Sequence, residues 1–205
     1  MALINTAIIL AGGKSSRMGF DKQLICFDGE NITDSIIRTL KPVFKNIIIV
    51  TNKPRLYKDK DIIITKDYYK GYGPLGGIHA GLLKSPSMYN YFIACDMPYI
   101  SIDYIKYMMK IIHENNYEVD AIITRFGDWI EPFNAFYSRR LISDIECNIA
   151  KNKRKIGELL DKSNAIYIEE KTARCFSPDW SMFTNLNTES DLKNMDSKKD
   201  RRIII

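Results

Sequence analysis

Short apolar runs rich in β-branched residues alternate along the chain with segments whose apolar residues return every three or four positions. Residues 6–10, 47–51, 62–65, 91–95 and 121–124 read as strands bounded by turn residues. These runs are apolar at both odd and even positions, so the sheet they form is covered on both faces. Between them, Ile36, Ile37 and Leu40 sit at helical spacing in 34–40. Ser101 is suited to cap a helix whose inner face carries Ile105, Met108, Met109 and Ile112. The Met pair reads as core. Alternating β and α units predict a three-layer α/β fold with a mostly parallel sheet.

The second half is less regular. Residues 133–138 read as a strand open to an antiparallel orientation, and 165–169 as a further strand. Leu141, Ile142, Ile145 and Ile149 form a helical stripe, and 154–160 a short helix. Residues 179–187 read as a strand returning to the edge of the sheet, with Thr188 capping a last helix through Leu192. No repeat or low-complexity linker interrupts 1–192, which reads as one domain with a nucleotide-binding first half and an acceptor-binding second half.

The densest chemistry follows the first strand: Leu10-Ala11-Gly12-Gly13-Lys14-Ser15-Ser16-Arg17-Met18-Gly19, then Asp21-Lys22. Two glycines let the backbone turn tightly and approach a ligand. Successive N–H groups in such a turn form an anion nest, and Lys14, Arg17 and Lys22 add cations. This combination suits a nucleoside triphosphate. It is not a P-loop: Gly13-Lys14-Ser15 supplies that motif's end, but Ile8 stands where its first Gly is required. Asn52-Lys53-Pro54-Arg55 likewise lacks the closing acid of a GTPase base-reading tetrad. In an open α/β sheet, ligands gather at the carboxyl ends of the strands. Both the Gly-rich turn and Asp96, after the run 91–95, fall at such ends.

The segment Leu10 to Lys22 resembles the signature Leu-Ala-Gly-Gly-x-Ser-x-Arg-Met-Gly-x-Asp-Lys of molybdenum cofactor guanylyltransferases. Further matches follow in family order: Asp67, Gly73-Pro74-Leu75-Gly76-Gly77, Cys95-Asp96-Met97-Pro98, Glu131-Pro132 and Phe183-Thr184-Asn185-Leu186-Asn187-Thr188. Together they cover roughly residues 6 to 192. The chain departs from the family at Val50, where some members carry Asn, and at Lys153-Arg154-Lys155, near the Gly-x-Arg-Ser of many. The resemblance implies a three-layer, Rossmann-like nucleotidyltransferase fold. It also implies transfer of GMP from GTP to the molybdenum–molybdopterin cofactor, with Mg²⁺ and release of pyrophosphate.

Composition narrows the setting. Hydrophobic residues make up 45% of the 205 positions, enough for a real core. The net charge of +5 is inflated by 193–205, a charged tail expected to fray, which holds five Lys or Arg against two Asp. The remainder does not argue for a nucleic-acid groove. No apolar run approaches the roughly 20 residues of a membrane helix, and no secretory signal opens the chain. The expected compartment is the cytoplasm. Four cysteines without a Cys-x-x-Cys and two remote histidines argue against zinc and against a disulfide framework. Cys95 reads as a small buried thiol.

Each site residue has a local reading beside the one the resemblance implies. Asp96 is implied to hold Mg²⁺, a hard cation that takes one or two carboxylates plus substrate phosphates; locally it is a cap or surface acid. Lys22 is implied to neutralise the α-phosphate, and Arg17 the β- and γ-phosphates through its planar fork. Leu10, Ala11, Gly12 and Gly13 would meet GTP through the backbone. Asp67 is implied to accept from guanine or to hold ribose. Gly76 lies in a turn that brings backbone near a ligand or merely joins strand to helix. Asn185 and Asn187 would share one strand face, with Asn187 at the metal, on the phosphates or capping a helix. For the anionic acceptor, Arg125, Arg139, Arg140, Lys153, Arg154 and Lys155 are candidates, or a solvated charged face.

The partners implied are GTP, molybdenum–molybdopterin, and proteins that deliver the cofactor or receive it, with no nucleic acid and no membrane. The rival enzyme is a nucleotidyltransferase of the same fold using CTP or a sugar-phosphate acceptor. The rival from another class is a non-catalytic nucleotide-binding regulator. Lys22 and Asp96 together speak against the regulator, because mere binding has less need of an α-phosphate cation.

Overall fold

The computed structural model describes residues 3–12, 26–27, 30–57 and 61–186. In chain order the elements are β1 (Ile4–Leu10), β2 (Cys26–Phe27), β3 (Glu30–Asn31), α1 (Ile32–Leu40), β4 (Asn46–Val50), β5 (Ile63–Thr65), α2 (Pro74–Lys84), β6 (Tyr89–Ala94), α3 (Ile102–Glu114), β7 (Ala121–Phe126), β8 (Trp129–Ser138), α4 (Ile142–Ala150), α5 (Ile156–Leu160), β9 (Ala165–Glu169) and α6 (Glu170–Ala173). Seven strands form one sheet in the order β5-β4-β1-β6-β8-β7-β9, and β2 pairs with β3 alone. Neighbours are parallel except at β8, which runs against both β6 and β7. The expected strand at 133–138 is therefore antiparallel and begins earlier, at Trp129.

Strand alternation assigns the two faces. Ala7, Ile9, Ile47, Ile49, Tyr91, Ile93, Ile122 and Phe136 point into a core completed by α1 and α3. Ile8, Ile48, Val50, Phe92, Ala121, Ile123 and Tyr137 point into a second core under α2, α4 and α5. This gives the three layers expected from doubly buried runs. Ser101 caps α3 as expected, its Oγ accepting from Tyr104 N–H at 3.2 Å. Met108 is fully buried in the α3 core and Met109 packs at its margin.

Two local expectations are corrected. The turn holding Gly76, read as joining strand to helix, already belongs to the helix, which begins at Pro74 with Gly73 before it at φ 56°. Proline is preorganised for a first helical position, where its missing N–H costs no bond. Gly77 and Gly81 therefore lie one turn apart inside α2. A Cβ at Gly81 would lie 2.7 Å from Ile8 Cγ2 and 3.0 Å from Phe92, and one at Gly77 3.3 Å from Leu10. The glycines let α2 press onto β1. Secondly, 179–187 is no strand in its described part. Ser181–Phe183 forms a 3-10 turn and 184–186 is irregular. Thr188 and the helix read after it lie outside the described residues, as does the charged tail.

β1 feeds α1 and then β4 on one side, whereas β6, on its other side, feeds α3 and the second half. The sheet thus has a topological switch point at the carboxyl ends of β1 and β6, where open α/β sheets form their ligand crevice.

Candidate active site

The two strand ends at the switch point are tied together. Cys95 N–H donates to the Leu10 carbonyl at 3.1 Å, and Ala11 N–H to the Val50 carbonyl at 2.9 Å. Leu10 packs toward Gly77 and Ala11 is wholly buried, so both side chains belong to the core. Gly12 is exposed, and the nearest atom to a Cβ placed on it is the Val50 carbonyl oxygen at 4.0 Å. Packing within the described residues therefore does not demand a glycine there; close approach of a ligand to the backbone would. Gly13, Lys14, Arg17, Lys22 and Asn187 lie outside the described residues.

Asp96 sits two residues beyond β6 with 8% of its surface exposed, and its carbonyl accepts from Leu186 N–H at 2.9 Å. That bond draws half-buried Asn185 to the same strand end, though by an irregular segment and not by a strand face. Cys95 is the buried thiol expected.

Asp67 follows β5 and is half-buried. Its Oδ1 accepts from Tyr69 N–H at 2.9 Å, fixing the carboxylate in a tight turn. Burial raises its pKa; the Tyr69 N–H and nearby His79 oppose that rise. A Cβ at Gly76 would lie 2.7 Å from Asp67 Oδ1 and 2.9 Å from the Tyr69 carbonyl. Gly76 thus makes room for Asp67. His79, also on α2, is buried, lies edge-on to Tyr69, and has Nε2 3.0 Å from Glu146 Oε1 of α4.

The cations suggested for the acceptor separate. Arg139 and Arg140 follow the end of antiparallel β8, at the opposite end of the sheet from Asp96. Arg140 holds Asp120 at 3.0 Å, Tyr89 Oη at 2.8 Å and the carbonyls of Tyr117 and Val119. These two are not site residues. Arg125 pairs with Glu169 near the carboxyl end of β7. Lys153 pairs with Glu158 at 2.8 Å, and Arg154 lies over the Tyr72 ring at 5.2 Å, near the start of α2. Arg125 and the 153–155 turn are thus at the crevice end of the sheet.

Glu131 received no role from the sequence, yet only 4% of it is exposed. Burial and the charge of Asp96 push its carboxyl up to about 7, against the Phe133 N–H that its Oε1 accepts at 3.2 Å. The signal available was an acid inside an apolar strand, next to a proline. Such a group makes the metal-free protein sensitive to pH. Below about pH 4.5 Glu131 holds a proton folded or unfolded and costs nothing. Between pH 4.5 and 7 only the unfolded chain releases it, so stability falls as pH rises, by on the order of 3 kcal/mol above pH 7. Glu131→Gln should therefore stabilise the protein markedly at pH 8 and little at pH 5, in urea unfolding with a chelator present. A gain of equal size at both pH values would refute the assignment.

Asp96 and Glu131 offer hard oxygen donors, the chemistry Mg²⁺ prefers. Among the described residues no three His, Cys, Asp or Glu side chains gather into a complete metal cage. One or two carboxylates plus phosphates is the usual Mg²⁺ arrangement, so the donors present fit that ion. No helix among the described residues is long and apolar enough to cross a membrane.

Comparison with known proteins agrees with this fold. Residues 7–166 match the model of the MobA-like NTP transferase domain. A probable molybdenum cofactor guanylyltransferase of Peptoclostridium acidaminophilum is 48% identical over 194 residues, covering 93% of this chain and 88% of that one. The molybdenum cofactor guanylyltransferase of Syntrophotalea carbinolica is 46% identical over 196 residues, covering 92% and 89%. Among solved structures, molybdopterin-guanine dinucleotide biosynthesis protein A of Archaeoglobus fulgidus superposes with a TM-score of 0.81 at 24% identity, covering 96% of this chain and 99% of that one. At that identity the likeness speaks for the fold.

Proposed function

Because the chain belongs to the family of MobA-like NTP transferases and is a nucleotidyltransferase, we propose that it transfers GMP from GTP to molybdenum–molybdopterin. The observation that carries this reading is the junction of β1 and β6. There the bond from Cys95 N–H to the Leu10 carbonyl ties the strand that leads to exposed Gly12 to the strand that leads to buried Asp96. Such a crevice can receive a triphosphate on backbone N–H groups and hold a reacting phosphate near a carboxylate-bound cation.

In the proposed reaction a phosphate oxygen of the acceptor forms a bond to the α-phosphorus of GTP. The bond from that phosphorus to the oxygen bridging to the β-phosphate breaks, and pyrophosphate leaves. Transfer of this kind depends chiefly on positioning and charge neutralisation. Gly12 and Gly13 bring backbone against the nucleotide. Lys22 lies on the α-phosphate and Arg17 on the β- and γ-phosphates. Asp67, oriented by Tyr69 N–H, accepts from the N1–H and amino groups of guanine. Asp96 holds Mg²⁺, which when bound supplies charge neutralisation to the phosphates. Lys153, Arg154, Lys155 and Arg125 face the acceptor side, with Asn185 beside Asp96.

This reading expects GTP to bind roughly 5- to 150-fold more tightly than ATP or CTP. A base without guanine's donors leaves the Asp67 carboxylate unsatisfied, a loss of roughly 1–3 kcal/mol. Calorimetric titration with each nucleotide in the presence of Mg²⁺ tests it. Equal affinities would remove the guanine assignment, and preference for CTP would transfer the reading to a cytidylyl enzyme.

A further inference from the structure

Glu131 is a buried acid that the proposed reaction leaves unused, and strand pairing sets its position. β6 and β8 pair from Tyr89 with Ser138 through Phe92 with Ala135. Because β8 runs against β6 beside it, the early part of β8, where Glu131 lies, is at the carboxyl end of β6 that leads to Asp96. From the other side Thr124 of β7 pairs with Glu131. Between these points β8 bulges: β7 advances from Ile122 to Thr124 while its partner runs from Phe136 to Glu131.

The bulge is fastened on three sides. Asn134 takes a left-handed conformation at φ 52°, which Asn tolerates better than most residues. Its Oδ1 accepts from the buried Tyr91 hydroxyl at 2.7 Å, and its Nδ2 donates to the Met182 carbonyl at 3.3 Å. Glu131 Oε1 accepts from Phe133 N–H. β8 is thereby locked to β6 and to the segment whose Leu186 N–H holds the Asp96 carbonyl. Bulges of this kind re-aim a side chain beside a site, and here the result is a glutamate buried within reach of the Asp96 charge. Two shielded carboxylates repel each other. A proton on Glu131 relieves that repulsion, and a divalent cation held by both acids relieves it as well, on hard oxygen donors of the kind Mg²⁺ takes.

We propose that Glu131 is a second carboxylate of the divalent-cation site built on Asp96, so that the two together set the affinity for the cation. The proposal rests on the reading of Asp96 as a Mg²⁺ ligand, and the experiment separates the two. Mn²⁺ serves as the probe, titrated into the full chain without nucleotide and followed by the loss of the free-ion paramagnetic resonance signal. Glu131→Gln should weaken Mn²⁺ binding at least tenfold, as should Asp96→Asn, and Glu131→Asp should recover part of the loss. Gln keeps the side-chain length and an acceptor for Phe133 N–H, and a cooperative thermal transition verifies that the variant is folded. As a second readout, Mn²⁺ should raise the melting midpoint of the wild type but not of Glu131→Gln. If Glu131→Gln binds within twofold of wild type while Asp96→Asn does not, the role given to Glu131 is wrong and the Asp96 reading stands. If neither variant changes the affinity, or the wild type takes up no Mn²⁺ at millimolar concentration, both are overturned.

Discussion

Asp96→Ala is expected to lower single-turnover pyrophosphate release by about 10³-fold or more while the protein keeps its fold. A cation at a transferring phosphate is worth several kcal/mol of charge stabilisation, and each 1.36 kcal/mol is a factor of ten in rate. The structural cost is small because Asp96 lies two residues past β6, outside the apolar packing of either core. Its carbonyl, which receives Leu186 N–H, survives the substitution. Removing its charge also relieves the repulsion on Glu131. Release of labelled pyrophosphate from GTP, with acceptor and Mg²⁺ present, measures the rate, and far-ultraviolet circular dichroism checks the fold. Normal turnover in a folded variant would show that the metal ligand has been misassigned.

The layered fold was legible because its signals are local. Runs such as Ile47 to Val50 are apolar at every position, and only a sheet covered on both faces buries them all. The start of α2 was missed for a different reason. Gly73 to Gly77 reads as a loop by composition, yet Pro74 is a good first residue of a helix, and the glycines behind it serve packing on β1 and on Asp67. Whether a glycine faces a ligand, a neighbouring helix or a carboxylate depends on what lies across from it, and the local sequence does not carry that information. Across from Gly76 lies Asp67, whereas the nearest described atom to a side chain at Gly12 is 4.0 Å away.

Orientation explains the remaining differences. Nothing in the periodicity of 133–138 settles whether the strand runs with its neighbours or against them. Running against them, β8 carries Arg139 and Arg140 to the far end of the sheet and Glu131 to the crevice. The same direction therefore places two cations at the far end of the sheet and one acid at the crevice end. Asn185 reaches Asp96 through a single backbone bond from Leu186, a contact with no periodic signature. The direct path from residues to chemistry was strongest for Asp96, where a buried run ends in an acid at a strand's carboxyl end.

Lys22→Ala is expected to slow nucleotidyl transfer by roughly 10²–10³-fold, the usual loss on deleting one preorganised electrostatic group, with only a modest change in GTP affinity. The charge at the α-phosphate is the charge that reorganises as the new bond forms and pyrophosphate departs. A cation aimed there interacts more strongly in the transition state than in the ground state, and its removal falls on the rate. Arg17→Ala should behave differently. The β- and γ-phosphates are fully charged before attack and after it, so a guanidinium fork on them stabilises bound GTP and the transition state nearly alike. A larger share of its loss then appears as weaker binding. Equilibrium titration of each variant with GTP and Mg²⁺, followed by single-turnover measurement at saturating GTP, separates the two quantities. If Lys22→Ala weakens GTP binding as much as it slows turnover, Lys22 is a uniform phosphate anchor, and the transition-state role must lie with another cation of the Gly-rich segment.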